Sequence, residues 1–462
     1  MSLETVIRQT PPALAQRLAA SVAGVSVENF DAAVTDNALL CLYDLIGCAL
    51  ESVDKPASQQ AMAMAIHLEA GQPGAATLIG MRRASSLGDA AFVNGVMGHG
   101  LVREDMHSAS ISHLGVAIIP AVLALSQLRR VSGRDLLAAI IAGYEVGAGI
   151  GRALMDPQLA RIFRPTGITG PLGAAAAGAR LLQLDAAQTA NALALAANTT
   201  GGFNQWGHTG GSEMYFHAGF AARSGVSAVL LAQAGAFASP SALDGEAGLF
   251  ASHGKRAAAD AVRPFAGTPE IMAVYHKPVP ACNFAQTATQ VAIRLAQAGQ
   301  CPAESIAGIT IRVPHAGATY PGCDFTGPYR HVLQAKMSIQ FNVAAALVMG
   351  DVTEANFELL ENPLVHRLLA VTRLEIDDEM THAYPAQQGG AVEVRLADGA
   401  CHTLRLADVV NATAQDVRER FQLAATTRLG HSAASRIGEL IDGLLDNNNA
   451  GQLAAALARS PA

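Results

Sequence analysis

The chain has 462 residues, half of them hydrophobic and 15% charged, and its 31 basic against 38 acidic side chains leave a formal charge of −7. With no basic stripe, that balance argues against nucleic acid as a partner. The length asks for two domains, and 5% aromatics beside 44 glycines favour closely packed helices over a β-rich fold.

A mean hydropathy of +0.26 with so little charge implies apolar surface beyond one monomer's needs, so a homo-oligomer is expected. Apolar runs such as Ser224–Leu243 are broken by Gly, Ser, Gln and Pro and read as buried segments rather than membrane spans. The first residues, MSLETVIRQTPPAL, show no basic region followed by an apolar one, and so no secretory signal. The six cysteines are scattered without metal spacing, which suits reduced thiols in the cytoplasm.

In chain order, Leu14, Leu18 and Val22 recur at helical spacing after a Thr-Pro-Pro start. Leu39, Leu42, Ile46 and Leu50 mark a second helix, Ser86–Met97 a third, and the nearly all-apolar Leu114–Leu128 a core helix with Pro120 early in it. Ser132 and Asp135 form a capping pattern ahead of another buried helix. Phe163–Gly173 (FRPTGITGPLG) reads as loop, too rich in Pro and Gly for a helix, before AAAAGARLL resumes one. Asp185 caps a helix, Thr199–Gly211 is a polar glycine-rich loop holding the single Trp, and a helix then runs from His217 through Leu231. No strand pattern occurs before about residue 265.

Beyond that point the texture changes. Ile309, Ile311 and Val313 alternate, as do Val371, Arg373 and Ile376 roughly, and Val392–Leu396 with Leu404 and Leu406 reads as a hairpin around Asp398-Gly399. The expected architecture is mainly α. A large all-helical domain (1–268) is followed by a smaller α+β lid (269–408), and helices in 409–462 return to the first domain.

The chemistry concentrates in Asn94–Gly115, where His99, His107, His113, Arg103 and the neighbours Glu104 and Asp105 fall between two apolar helices. Titratable side chains on a loop held by rigid helices are a common way to build a reactive site. Taken singly, His99 also reads as a satisfied helix-end histidine, and Glu104 and Asp105 as caps. The histidine spacings of eight and six match no zinc pattern, so no metal is expected. No G-x-G-x-x-G after a strand, Walker lysine loop or G-x-S-x-G elbow is present, and no cofactor is expected. Isolated cations stand elsewhere in uncharged surroundings: Arg164, His217, Lys277 and Lys336. Gathered at one cleft they suit a small di- or tricarboxylate, with a His or Lys of lowered pKa removing a proton alpha to a carboxylate.

Several stretches together resemble the MmgE/PrpD family of 2-methylcitrate dehydratase, cis-aconitate decarboxylase and iminodisuccinate epimerase. They are NGVMGHGLVREDMH with SHLG, GYEVGAGIGRAL, FRPTGITGPLGAAAAGARLL, LDAAQTANALALA, FHAGFAARSGVSAVLLAQAG, HKPVPAC and AKMSIQF. The resemblance implies a helical domain built from both ends of the chain, a smaller lid between them, and a homodimer. By the same resemblance His113 matches the histidine closing the first motif, Lys277 the lysine of Lys-Pro-x-Pro-x-Cys, and Tyr320 the lid tyrosine. The family's first-motif aspartate falls on Val102, its threonine on Met106, a histidine on Arg164 and a lysine on Met214. Val102 cannot shuttle a proton and Met214 cannot hold a carboxylate, whereas Arg103 and Arg164 add permanent charge suited to binding anions.

The expected activity is therefore a cofactor-independent lyase, or alternatively an epimerase, acting on a small polycarboxylate. A binding protein without activity is the third reading. His113 or Lys277 is expected as base and Tyr320 as second acid. Arg103, Arg164 and Lys336, with His107 and His217, are expected on the substrate, and Asp105 beside a cation that it orients.

Overall fold

The computed structural model describes residues 12–69 and 74–459. The leader reading at residues 1–11 and the Thr10–Pro11 start lie outside them. The described residues are 60% helix and 8% strand.

Ten α-helices precede residue 234 among the described residues: α1 Leu14–Ala23, α2 Ala32–Ser52, α3 Pro56–Leu68, α4 Leu87–His99, α5 Gly115–Leu125, α6 Gly133–Leu154, α7 Pro165–Leu181, α8 Ala186–Ala197, the single turn α9 Trp206–Thr209, and α10 Glu213–Gln233. Local chemistry sets their starts. The Ser132 hydroxyl accepts from Asp135 N at 3.1 Å to open α6, and Asp185 accepts from Gln188 N at 2.8 Å to open α8.

Helix α7 corrects the expectation of a loop at Phe163–Gly173. Pro165 occupies its first turn, where the missing N–H would be unpaired anyway, and Pro171 is carried inside. The glycines are there for contact. A Cβ on Gly143 of α6 would lie 2.8 Å from the Gly173 carbonyl, and one on Gly225 of α10 only 2.3 Å from the Ala174 methyl. Backbone-to-backbone approach on both sides clasps α7 between α6 and α10, and that packing outweighs its poor helix propensity.

Helices α2 and α6 are long and apolar enough to cross a membrane, but 78% and 83% of their most apolar windows are buried inside this fold. They are its core.

Strands do occur before residue 265, as two-residue pairs. β1 (Ala76–Thr77) meets β2 (Ala84–Ser85), and β3 (Met106–His107) meets β4 (Val274–Tyr275), with Met106 opposite Tyr275 and His107 opposite Val274. Such pairs carry no period-2 pattern to read. The larger sheet has β5 (Ile306–Val313), β6 (Thr372–Ile376), β7 (Gly390–Leu396) and β8 (Cys401–Leu406) in the order β6-β5-β7-β8. β5 and β6 run parallel, while β5–β7 and the hairpin β7–β8 are antiparallel.

The last long helix, Ala414–Leu429, returns to α2, with Phe421 edge-on to Tyr43 at 4.9 Å and Gly47 leaving room for the Phe421 backbone. Apolar side chains gather into two cores. One spans α1–α10 and the C-terminal helices; the other lies behind the larger sheet. Val102, Met106, Ile111, Trp206 and Met214 come from the first part of the chain yet pack into the second core. The site lies at that seam.

Candidate active site

Helix α4 delivers His99 into the seam, and β3–β4 ties the following loop to the segment carrying Lys277. Within the loop, Val102 and Ile111 adopt φ of +58° and +53°. Left-handed backbone at a β-branched residue costs about 1–3 kcal/mol and persists only where its surroundings impose it. Here Lys277 Nζ donates to the Val102 carbonyl, and the Ile111 amide donates back to Ser108 O. Both strained residues border one small cavity, lined also by Met106, His113, Arg164, Trp206, Met214, Cys282, Asn283, Phe284, Tyr320 and Met337.

Glu104 organises the polar wall. Its Oε1 lies 2.6 Å from His99 Nδ1 and 2.9 Å from His113 Nδ1. Burial pushes the carboxyl upward, but His99, Lys277 and His113 outweigh it and hold Glu104 well below the usual range. His113 Nδ1 also faces the Asp105 carbonyl at 3.2 Å, so two acceptors assign the proton to Nδ1. Nε2 is left as a lone pair on a residue that borders the cavity. Burial and the Lys277 charge push His113 down to about 3 despite Glu104, so it is neutral at physiological pH.

Across the cavity, Arg164 donates to His99 Nε2 at 2.9 Å and to the Tyr320 hydroxyl at 3.1 Å, while its Nε is buried without a partner among the described residues. Asn204 Nδ2 also donates to the Tyr320 hydroxyl, at 3.2 Å, and Trp206 Nε1 fixes Asn204 at 2.9 Å. The Tyr320 oxygen thus accepts twice, and its own proton remains free to donate into the cavity. Burial raises Tyr320 above its ordinary value although Arg164 opposes, so it stays a proton donor.

The remaining expected residues lie elsewhere. Lys277 is fully buried but donates to the Val102 and Ala281 carbonyls rather than bordering the cavity; burial lowers it although Glu104 opposes. Lys336 is occupied by Leu101 O at 2.9 Å, Pro280 O and Glu354, and Arg103 is paired with Glu51. His107 bridges Ser110 at 2.9 Å and Glu270 at 3.1 Å, a clamp on the β3–β4 junction. His217 borders a separate groove with Phe203 and Phe220. Asp105 accepts from the Tyr144 hydroxyl at 2.8 Å, and its charge helps to raise the pKa of the nearby His276. Burial and the nearby Asp44 push Asp105 up to about 7.

His99, Glu104 and His113 place three ligand-type atoms within 4.8 Å of one another. Each ring already points Nδ1 at the same Glu104 oxygen, and Arg164 donates to the outer face of His99. Fixed positive charge there suits a hydrogen-bond relay better than a cation. Glu104 and His99 read singly as a cap and a helix-end histidine; in sequence, only their closeness to His113 hinted at the relay.

Domain matches decide the family. The MmgE/PrpD N-terminal domain matches residues 16–261, and the MmgE/PrpD C-terminal domain matches residues 279–445. The chain belongs to the MmgE/PrpD family. Human cis-aconitate decarboxylase is 26% identical to this MmgE/PrpD chain over 380 residues, covering 77% of it and 76% of the human protein. A cis-aconitate decarboxylase-like protein oryM from Aspergillus oryzae is 32% identical over 202 residues, covering 42% of this chain and 41% of that protein. Cis-aconitate decarboxylase of Aspergillus terreus is 29% identical over 218 residues, covering 46% and 44%. The chain thus matches less than half the length of these two fungal relatives.

Proposed function

We propose that this MmgE/PrpD protein is a carboxylate lyase that removes a proton alpha to a carboxylate, with His113 Nε2 as base. The observation carrying the reading is the assigned tautomer of His113: Nδ1–H anchored on Glu104, Nε2 free at the cavity. Membership of the family and similarity to proteins named cis-aconitate decarboxylase support the lyase class.

Arg164 pairs the substrate carboxylate. As His113 takes the proton, negative charge grows on that carboxylate, where the guanidinium is already in place. Glu104 then stabilises the imidazolium it orients, the role of a carboxylate behind a catalytic histidine. When water is eliminated, Tyr320 gives its proton to the departing hydroxyl; when carbon dioxide leaves instead, no alpha proton is removed, the broken C–C bond leaves its electron pair on the alpha carbon, and Tyr320 protonates that carbanion. No step requires a cofactor.

Epimerisation is the second reading, favoured by one feature: His113 and Tyr320 are two proton-transfer groups bordering one cavity, beside an apolar Val102. We place the chain in the cytoplasm, in keeping with six free cysteines, and as a homodimer. Phe203 and Phe220, 67% and 52% exposed beside one groove, offer apolar surface for a second copy.

Incubating carboxylic acids with the enzyme in D2O and following the alpha proton by NMR tests the reading. Loss of water or carbon dioxide marks the lyase, and exchange with inversion marks the epimerase. His113→Gln is expected to lower kcat at least about 100-fold with KM little changed. A variant within about threefold of wild type would remove His113 from the base position.

A further inference from the structure

We propose that Cys282 and Cys323 are a peroxide-responsive dithiol, a modification site that closes to a disulfide in the wall of the cavity. It is independent of the lyase reading, which uses neither sulfur.

The two sulfurs come from positions 41 apart in the chain and lie 3.5 Å from one another, both buried. One stretch of backbone holds them side by side. The Cys282 amide donates to the Lys336 carbonyl at 2.9 Å, and the Cys323 carbonyl accepts from the Ile339 amide at 2.9 Å. Closing the pair to a bond of about 2.05 Å asks each sulfur to move by roughly 0.7 Å. Neither cysteine lies in a helix or strand, and Cys323 follows Gly322 at φ +83°, so the movement breaks no regular ladder.

The surroundings give the two thiols different parts. Burial pushes Cys282 up, but the Cys323 hydrogen bond, the Phe284 amide and the Lys277 and Arg164 charges outweigh it and leave Cys282 below its ordinary value. Burial and Cys282 itself hold Cys323 well above its ordinary value. Cys282 is therefore the attacking thiolate and Cys323 the resolving thiol. Cys282 also borders the small cavity, where a small uncharged oxidant such as hydrogen peroxide can meet its sulfur and a glutathione-sized one cannot. Cys41 and Cys48 are pushed up by burial and by nearby carboxylates, which keeps them inert.

The Cys282 sulfur attacks one peroxide oxygen, the O–O bond breaks, and the departing hydroxide takes the thiol proton as water. The Cys323 sulfur then attacks the sulfenic acid at Cys282. The S–O bond breaks, and the hydroxyl leaves as water with the Cys323 proton. Two thiols and one peroxide thus give one disulfide and two waters. The Cys323 amide donates to the Tyr320 carbonyl at 3.0 Å, and the Ala281 carbonyl accepts from Lys277 Nζ at 3.3 Å. The bond therefore fastens the turn that carries Tyr320 to the loop that follows Lys277. A transient, reducible pair of this kind is compatible with a reducing compartment.

The test is peptide mapping by mass spectrometry of the reduced full-length protein, treated with hydrogen peroxide, denatured and alkylated. A peptide pair linked through Cys282 and Cys323 is expected, formed at least about tenfold faster than the Cys41 and Cys48 thiols are lost, and reversed by dithiothreitol. Cys323→Ser is expected to stop at a Cys282 sulfenic acid that dimedone traps, and Cys282→Ser to leave Cys323 as a thiol. Full alkylation of Cys282 and Cys323 after the exposed Cys401 has been oxidised overturns the proposal, as does a link from Cys282 to any other cysteine. The wild-type map decides between these outcomes even if a variant does not fold.

Discussion

Asp105 and His113 titrate far from their ordinary positions, in opposite senses, and each makes a separate forecast. Asp105, buried beside Asp44, is raised to about 7, so its contribution to stability is present in acid and is lost as pH rises through neutrality. His276, raised by Asp44 against the effect of burial, changes in the same direction. Thermal unfolding should show the wild type losing Tm between pH 5 and 8, and Asp105→Asn should show a shallower loss and a higher Tm at pH 8. An equally steep curve for the variant would mean that Asp105 is not the titrating group. His113, near 3, is neutral through the physiological range, so the acid limb of kcat/KM should lie below pH 5. A limb near 6.5 in the free enzyme would mean that His113 is more solvated than its surroundings indicate. At this scale His113, Arg164 and Tyr320 were legible in the sequence. Which cations are already occupied was not, because their partners are set by tertiary contacts: Lys336 meets Leu101 O across 235 positions.

Among the elements, α7 shows where local rules and packing disagree. Proline and glycine in FRPTGITGPLG predict a break, yet glycines at Gly143, Gly173 and Gly225 let three helices close on one another, and tertiary contact decides. Gly143→Val should cost about 1–3 kcal/mol in urea unfolding, because its side chain would meet the Gly173 carbonyl and the Ala177 methyl. A neutral effect would mean that α6 and α7 can part without loss. The hairpin β7–β8 was readable because alternation and an Asp-Gly tip leave few other structures. The β3–β4 pair was not, since two residues have no period. That pair nevertheless links the histidine loop to the Lys277 segment, so the least legible strands are among those that shape the site.

On the scale of the molecule, the helical body is completed by chain from beyond the sheet-bearing part. Phe421 seats against Tyr43 and the backbone of Gly47, and Phe421→Ala should destabilise by about 3–5 kcal/mol, measured by denaturant unfolding. Loss of less than about 1 kcal/mol would mean that this helix is only loosely docked. The mixed helix-and-sheet organisation was legible from the change of hydrophobic period near residue 265. The placement of the cavity at the seam of two cores was not, because Val102, Met106 and Met214 look like ordinary core residues wherever they stand.

The return of the final helices also bears on how the protein is made. The Tyr43 hydroxyl donates to the Gly438 carbonyl, a partner 395 residues further along the chain. At about 5–20 residues per second, a ribosome needs tens of seconds between exposing α2 and delivering its cover. For that interval one face of the most apolar early helices has no native surface to meet. That face of α2 stays without its native cover until the segment holding Phe421 and Gly438 has been made.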